Sequence, residues 1–179
     1  SDKERLKAAT STIVERYEKA KKPMVLIDLD VDRLGIKKQV QQFIEKTNTP
    51  FAALSTGKAI LDESHDLYAG IYRGDNSDPG VQKQVEESDF LLTVSPRFIE
   101  GNSGRYTSDL PEEHLVRLGR NHTFVGRDVF EGVAVKDLLK KVIKNVPENS
   151  EEVPPRRMEE IKFRVLKDKA LDHKHLWKQ

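Results

Sequence analysis

An α/β fold with a doubly wound, mainly parallel sheet and helices on both faces is predicted by three observations. A short, almost uninterrupted apolar run rich in branched residues spans residues 23–30, and such runs are typical of strands that are covered on both faces. Amphipathic helical patterns precede and follow this run. The alternation of helix and strand patterns continues to about Val146, and this order is typical of layers with a parallel central sheet.

The composition excludes several classes of protein. The chain has 179 residues, a net charge of +1, 34% charged residues and no cysteine. The length suits one domain with its own core. The balanced charge predicts no nucleic-acid partner and no membrane surface, and no apolar run is long enough to cross a bilayer. With no disulfide, thiolate nucleophile or signal-peptide pattern, we expect a cytoplasmic protein.

The helices and strands follow one another in a regular order. An apolar stripe from Leu6 to Ala20 predicts the first helix, and the cations and proline after it predict its end. Asp78 and Pro79 provide an N-cap and a first-turn proline for a short helix. The loops 55–78 and 99–109 are rich in glycine and turn-forming residues. Strands are predicted at residues 23–30, 51–54, 90–94, 115–118 and 123–125, and further helices at residues 36–47 and 133–146.

Three carboxylates, Asp28, Asp30 and Asp32, follow the first strand. Ligands of doubly wound sheets bind beyond the carboxyl ends of strands, so these acids are candidates for chemistry. The segment is similar to the first motif of haloacid-dehalogenase-like phosphatases, in which the first acid attacks phosphorus and Mg²⁺ assists. The hydroxyl of Ser55 or Thr56 would then bind the phosphate, and Lys58 would supply the cation. The structural alternative is that the acids cap the next helix.

Other features argue against that phosphatase hypothesis without removing it. The acidic segment 74–78 lies inside a loop, whereas a metal motif should close a strand. Val31 and Asp32 replace the usual Gly-Thr pair. A nucleotide-binding module is a further alternative, although the G-x-G-x-x-G fingerprint is absent after the first strand.

Several stretches, taken together and in order, resemble the central domain of thiamine diphosphate-dependent 2-oxo acid decarboxylases of the indolepyruvate, phenylpyruvate and pyruvate type. The resemblance covers the chain from about Arg5 to Val146. The stretches that carry it are residues 22–35, 57–65, 68–72, 85–92 and 102–107.

The resemblance implies a Rossmann-like sheet of six strands and a scaffold or regulatory role. It places the domain at residues 1–146, with a linker and the start of a diphosphate-binding domain at residues 147–179. The parent would convert a 2-oxo acid to an aldehyde and CO₂ as a homo-oligomer, using thiamine diphosphate and Mg²⁺. Those cofactors belong to flanking pyrimidine-binding and diphosphate-binding domains. This chain alone would hold neither cofactor, no metal and no catalytic residue.

Two loops carry the site residues that the resemblance implies, with plain interface packing as the alternative for both. Residues 74–76, followed by Asn102, imitate a diphosphate motif, but the neighbouring segments identify them as loop residues. The substrate-channel candidates are Asn102, Ser103 and Tyr106, and the interface-loop candidates are Thr56, Lys58 and His65.

Overall fold

A single mixed sheet organises the protein, which is described by a computed structural model covering residues 2–149. The strand order is β3-β2-β1-β4-β5-β6-β7. The first five strands in that order are parallel, and β6 and β7 are antiparallel to their neighbours. The strands are β1 (Pro23–Ile27), β2 (Phe51–Ala53), β3 (Tyr68–Ile71), β4 (Phe90–Val94), β5 (Leu115–Leu118), β6 (His122–Val125) and β7 (Asp128–Glu131).

Two helices begin at aspartate caps, of which the sequence predicted the one at Asp78. Asp2 accepts hydrogen bonds from the backbone of Glu4 and Arg5 at 3.0 Å each, and Asp78 caps its helix through Gly80 N at 2.9 Å. These side chains satisfy amides that have no partner inside the helix. The helices are α1 (Lys3–Lys19), α2 (Asp30–Arg33), α3 (Lys37–Thr47), α4 (Pro79–Glu86) and α5 (Val135–Asn145), with 3₁₀ turns at Ser55–Gly57 and Glu112–His114.

Two hydrophobic clusters lie on opposite faces of the sheet. On the first, the closed face, α1, α3 and α5 pack through Ile13, Phe43 and Leu138 onto residues that extend from β2 to β6. On the second, the open face, α4 packs through Val81 and Val85 onto a smaller cluster that reaches only as far as the first residue of β5. The doubly wound α/β prediction is therefore confirmed.

The described chain has seven strands, one more than the six expected, and two of its strands were not predicted. β3 lies inside the loop 55–78, where Gly70 and a register shift against β2 interrupt the pattern of a strand. β7 has no fully buried residue, so its sequence lacks the apolar alternation that identifies strands.

The predicted linker falls mostly beyond the described part of the chain. Residues 150–179, which we expect to continue the linker and begin the next domain, lie outside the described residues. Within residues 2–149, no helix combines the length and the apolar character needed to cross a bilayer.

Candidate functional site at the carboxyl edge of the sheet

The candidate site lies where β1 and β4 run side by side and their chains leave the sheet in opposite directions. β1 continues toward β2, whereas β4 continues toward β5. Such a switch point opens a crevice at the carboxyl ends of parallel strands. Asp28 follows β1, and the segment that begins at Ser95 follows β4. The crevice is therefore bordered by the acids and by the glycine-rich loop that the sequence singles out.

Asp28 is a buried carboxylate whose two oxygens both accept hydrogen bonds. The residue is only 1% exposed. Oδ1 accepts from Leu29 N at 2.7 Å and from the hydroxyl of Thr56, and Oδ2 accepts from Arg97 N at 2.9 Å. These donors compensate the charge for the loss of water. Asp28 thus ties the ends of three segments together.

Asn102 extends this network into the glycine-rich loop. Its Nδ2 donates to Thr56 Oγ1 at 2.9 Å and to the carbonyl of Arg97 at 3.2 Å. The residue is 2% exposed. Thr56 comes from the interface loop, which is the loop that begins at Ser55. Asn102 comes from the channel loop, residues 99–109. The structure therefore joins one candidate from each set. Thr56 connects Asn102 to Asp28, because its hydroxyl accepts from Asn102 and donates to Asp28.

Asp30 and Asp32 lie in the first turn of α2, where the helix dipole favours acids, but the N-cap residue is Leu29 and no side chain caps the helix. Asp30 forms ion pairs with Arg97 at 3.6 Å and with Arg33 at 3.8 Å. Asp28 differs, since it bonds the backbone at Leu29 and groups from other segments. Among the described residues, no group of three or more His, Asp or Glu side chains is placed to hold a metal ion.

The channel loop presents one of its candidates outward and uses another internally. Ser103 is buried; its hydroxyl donates to Ile99 O at 2.8 Å and accepts from Tyr106 N at 2.9 Å. Tyr106 is 70% exposed. Arg105 and Tyr106 both have left-handed backbone conformations, with φ of 64° and 66°. Two such residues in succession are uncommon outside glycine and mark a backbone held by its surroundings.

Glycines lock the channel loop against the loop that follows β3. Gly104 has φ of 59°, and an added Cβ would collide with the carbonyl of Arg73. Thr107 Oγ1 accepts from Asp75 N at 2.9 Å across the same contact. Asp75 also accepts from Gln82 at 3.1 Å, so it is a loop residue, as predicted. The channel loop is thereby fastened on two sides.

The other interface-loop candidates do not join the network. Lys58 pairs with Glu63 at 3.7 Å, and both side chains keep part of their exposure. His65 Nδ1 accepts from Leu67 N at 3.1 Å, and its ring meets the edge of Phe51 at 5.8 Å between centroids. His65 is therefore a loop histidine bonded to the backbone. Both side chains serve the local fold of their loop.

A cleft of about 520 Å³ opens beside the channel loop on the open face. We call it the Arg117 cleft. Sequence reasoning did not identify Arg117 or Arg97, although each carries a signal. Arg117 is the one charged residue in β5, and Arg97 follows β4 at the edge that carries the acids. The cleft is lined by Ser95, Pro96, Phe98, Ser103, Tyr106, Ser108, Leu110, Leu115, Arg117, Leu118, Gly119, His122 and Phe124.

A buried tyrosine connects the segment after β3 to α4, on which the channel loop packs. Burial raises the pKa of Tyr72 well above its ordinary value. Its hydroxyl donates to Glu86 Oε1 at 2.8 Å, and Glu86 also accepts from Gln82 at 3.2 Å. The pair connects the segment after β3 to α4, so the loops above the open face rest on a fixed base.

Comparisons with known proteins agree with this architecture. A family model described as "Thiamine pyrophosphate enzyme, central domain" matches residues 10–146. Pyruvate decarboxylase isozyme 2 of Saccharomyces cerevisiae is 29% identical over 144 residues, which cover 80% of this chain and 26% of the yeast protein. The pyruvate decarboxylase of Hanseniaspora uvarum is 30% identical over 146 residues, covering 82% of this chain and 26% of that protein.

A solved structure shows the same fold. An X-ray structure from Mycobacterium smegmatis, described as a thiamin diphosphate-dependent enzyme, has a TM-score of 0.55 and 24% identity, and the match covers 88% of this chain and 30% of that one. The chain spans about a quarter of the length of the curated relatives named above. The matched family model covers most of the chain, and the chain therefore belongs to the thiamine pyrophosphate enzyme family as a central domain.

Proposed function

We propose that this chain is the scaffold and substrate-channel domain of a thiamine diphosphate-dependent 2-oxo acid decarboxylase. The parent would convert a 2-oxo acid to an aldehyde and CO₂. The family membership and the names of the pyruvate decarboxylase relatives support this reaction class. Thiamine diphosphate supplies the electron sink for the departing CO₂, and the protein supplies position and shape.

The observation that carries the proposal is the construction of the channel loop. Asn102 and Asp28 hold it from below, and the packing of Gly104 against Arg73 holds it from the side. The loop nevertheless exposes large apolar side chains, with Ile99 at 54% and Tyr106 at 70%. Exposed apolar groups on a fixed loop are typical of a surface that packs against another domain or a ligand. In our proposal Tyr106 forms one wall of the substrate channel.

Cofactor binding is assigned to other parts of the parent. The oxygens of Asp28 already accept three hydrogen bonds, and Asp30 is paired with two arginines. We therefore propose that flanking pyrimidine-binding and diphosphate-binding domains hold thiamine diphosphate and Mg²⁺. We place the central domain at residues 1–146 and the linker with the start of the next domain at residues 147–179. The parent would be a cytoplasmic homo-oligomer.

Neither alternative from the sequence has a structural observation in its favour. A phosphatase would need Asp28 free to attack phosphorus, yet both of its oxygens are engaged and the residue is buried. Thr56, the expected phosphate ligand, donates to Asp28 instead. A nucleotide-binding module would need an anion-binding turn after β1, and that position is held by the carboxylate of Asp28.

The first test uses the purified chain. With thiamine diphosphate, Mg²⁺ and a panel of 2-oxo acids, we expect no aldehyde and no heat of cofactor binding by calorimetry. Mg²⁺-dependent hydrolysis of a phosphate ester that is lost in Asp28→Asn would instead support the phosphatase. Turnover of a 2-oxo acid by this chain alone would contradict the scaffold role.

The second test places the domain in a catalytic context. Residues 2–149 replace the matching segment of the yeast isozyme, and decarboxylation is measured before and after Tyr106→Ala. We expect this substitution to raise KM for bulky 2-oxo acids by about tenfold, which corresponds to one apolar contact. Val129→Ala is the matched control, because Val129 is also an exposed apolar residue but lies on β7. Equal effects of the two substitutions on KM would show that Tyr106 does not line the substrate channel.

A further inference from the structure

We propose that α1 and the groove between α1 and α5 form a contact surface for a second copy of this chain. In each copy, α1 of the other would lie in this groove. The two copies are then related by a two-fold axis, and every pair of residues across it occurs twice. The proposal goes beyond the scaffold role, since it concerns the outer surface of the helix layer and requires neither a cofactor nor a flanking domain.

The groove is large and leaves apolar surface for a partner to cover. Its volume is about 750 Å³, and residues of α1 and α5 line it. Leu6, Thr10 and Val14 follow one another at four-residue spacing, so they form one stripe along α1. Thr10 is buried, whereas Leu6 and Val14 are only half-buried. Contact surfaces of proteins combine such apolar groups with a polar rim.

Lysines without ion-pair partners stand on both rims of the groove. Lys3 and Lys7 are one turn apart on α1, and Lys141 lies on α5, and all three are exposed. Among residues 2–149, none of them forms an ion pair. Lys3 and Lys7 repel each other at this spacing, and cations in the first turns of a helix oppose its dipole. The groove therefore favours a partner that brings carboxylates.

The helix α1 itself provides a carboxylate in the matching position. Glu15 follows Lys7 by two turns, is exposed, and forms no ion pair within the described part of the chain. Ser11 lies midway between them. When two copies of α1 lie antiparallel and cross at Ser11, Lys7 of each copy faces Glu15 of the other, because both residues are four positions from the crossing point. A parallel arrangement would instead place lysine against lysine.

The crossing point suits a close but weak contact. Ser11 has a short side chain, and the distance between packed helices depends on the side chains at their contact. The antiparallel arrangement also brings opposite ends of the two helix dipoles together. The helix α1 has 17 residues, which gives a length of about 25 Å, so one helix and its groove provide less than a standard interface. We expect a dimer with a dissociation constant of about 10–100 µM.

The test is sedimentation equilibrium of the whole chain and of charge-reversed variants, over concentrations that bracket this dissociation constant. Lys7→Glu and Glu15→Lys should each weaken the dimer at least about tenfold, because each places two like-charge pairs across the two-fold axis. Lys140→Glu is the matched control, since Lys140 is an exposed lysine of α5 that lies outside the groove. It should leave the dissociation constant unchanged.

A mixture of the two variants tests the pairing of Lys7 with Glu15. A heterodimer of Lys7→Glu with Glu15→Lys contains two pairs of opposite charge, and so does a homodimer of the double variant. Each should regain the affinity of the unaltered chain to within about threefold. The double variant has the same net charge as the unaltered chain, so its recovery cannot come from a change in overall charge.

The proposal fails if the chain stays monomeric at every concentration, if either single variant dimerises like the unaltered chain, or if the double variant does not recover. A monomeric chain that binds poly-glutamate through this groove would assign the groove to an acidic partner and also overturn the contact between copies. Circular dichroism checks that the variants fold. If one does not, Ser11→Arg places a large side chain at the crossing point and should abolish the dimer. No readout involves aldehyde formation, so this proposal and the proposed function fail separately.

Discussion

The closed and open faces of the sheet differ in how far their helices extend. On the closed face three helices cover residues from β2 through β6, including Val116 and Val125. On the open face α4 covers the sheet only to the start of β5 at Leu115. Beyond it, Arg117 pairs with Phe124, and Phe124 pairs with Val129. Side chains of directly paired residues share a face, so these three form an uncovered row.

The two faces of the sheet contribute differently, one mainly to stability and the other mainly to binding. Burial of apolar area is the main source of folding free energy, and the closed face contains most of the fully buried side chains of the described chain. The open half of the other face contributes little burial but has a cation and an aromatic ring available for contacts. Substitutions should therefore act on stability on one face and on recognition on the other.

The largest expected effect is on the closed face. Phe43 is fully buried on α3. Phe43→Ala should lower the free energy of unfolding by about 3–5 kcal/mol, because a large cavity remains. Phe124→Ala on the open face should cost less than about 1 kcal/mol, because the ring is partly exposed there. Urea denaturation followed by circular dichroism measures both. Equal losses would show that the two faces do not differ in stability.

The next effect concerns the buried carboxylate that joins the loops. Asp28→Ala should destabilise the chain by about 2–4 kcal/mol, because the donors from Thr56, Arg97 and Leu29 lose their acceptor in a buried place. Asp32→Ala is the control, since Asp32 is exposed on α2, and should change stability by less than about 0.5 kcal/mol. Similar midpoints for the two variants would show that the network contributes nothing.

A smaller effect tests the packing of the channel loop. Gly104→Ala should cost about 2 kcal/mol, because alanine is strained at positive φ and its Cβ would meet the Arg73 carbonyl. Gly101 has no atom within 4 Å of an added Cβ, so Gly101→Ala should be neutral or slightly stabilising, by at most about 0.5 kcal/mol. Thermal unfolding of both variants provides the comparison. A neutral Gly104→Ala would mean that the two loops are not locked together.

The smallest effect is a pH dependence at the opposite edge of the sheet. Burial would raise the pKa of Asp89, but hydrogen bonds from Lys21 N and Lys22 N, each at 2.8 Å, hold it below its ordinary value. A lowered pKa in the folded state means that this contribution is present above the unfolded value of about 3.9 and is lost on acidification below it. Asp89→Asn should flatten the stability profile on the acid side of about pH 4. An unchanged slope in that range would contradict this assignment.

The sequence was sufficient for most of the fold because its signals are local. Apolar runs, helical stripes and the Asp78-Pro79 cap each concern neighbouring residues, and the structure reproduces all five predicted strands and the four predicted amphipathic helices. β3 and β7 were missed since an edge strand with one covered face or none carries little apolar pattern. The site was predicted less completely. The sequence identified Thr56 and Asn102 separately, but it did not indicate that Thr56 bonds to both Asn102 and Asp28.

What the sequence determined by itself is the alternation of helices and strands and the presence of acids after the first strand, since both follow from residues that are close in the chain. Only the tertiary structure decided that Asp28, Thr56 and Asn102 form one network, and that Arg117 stacks on Phe124 over an uncovered face. The physical reason is that strand order brings together the ends of β1, β2 and β4, and the extent of a helix layer decides which side chains stay open. Neither property is encoded in the periodicity of a single segment.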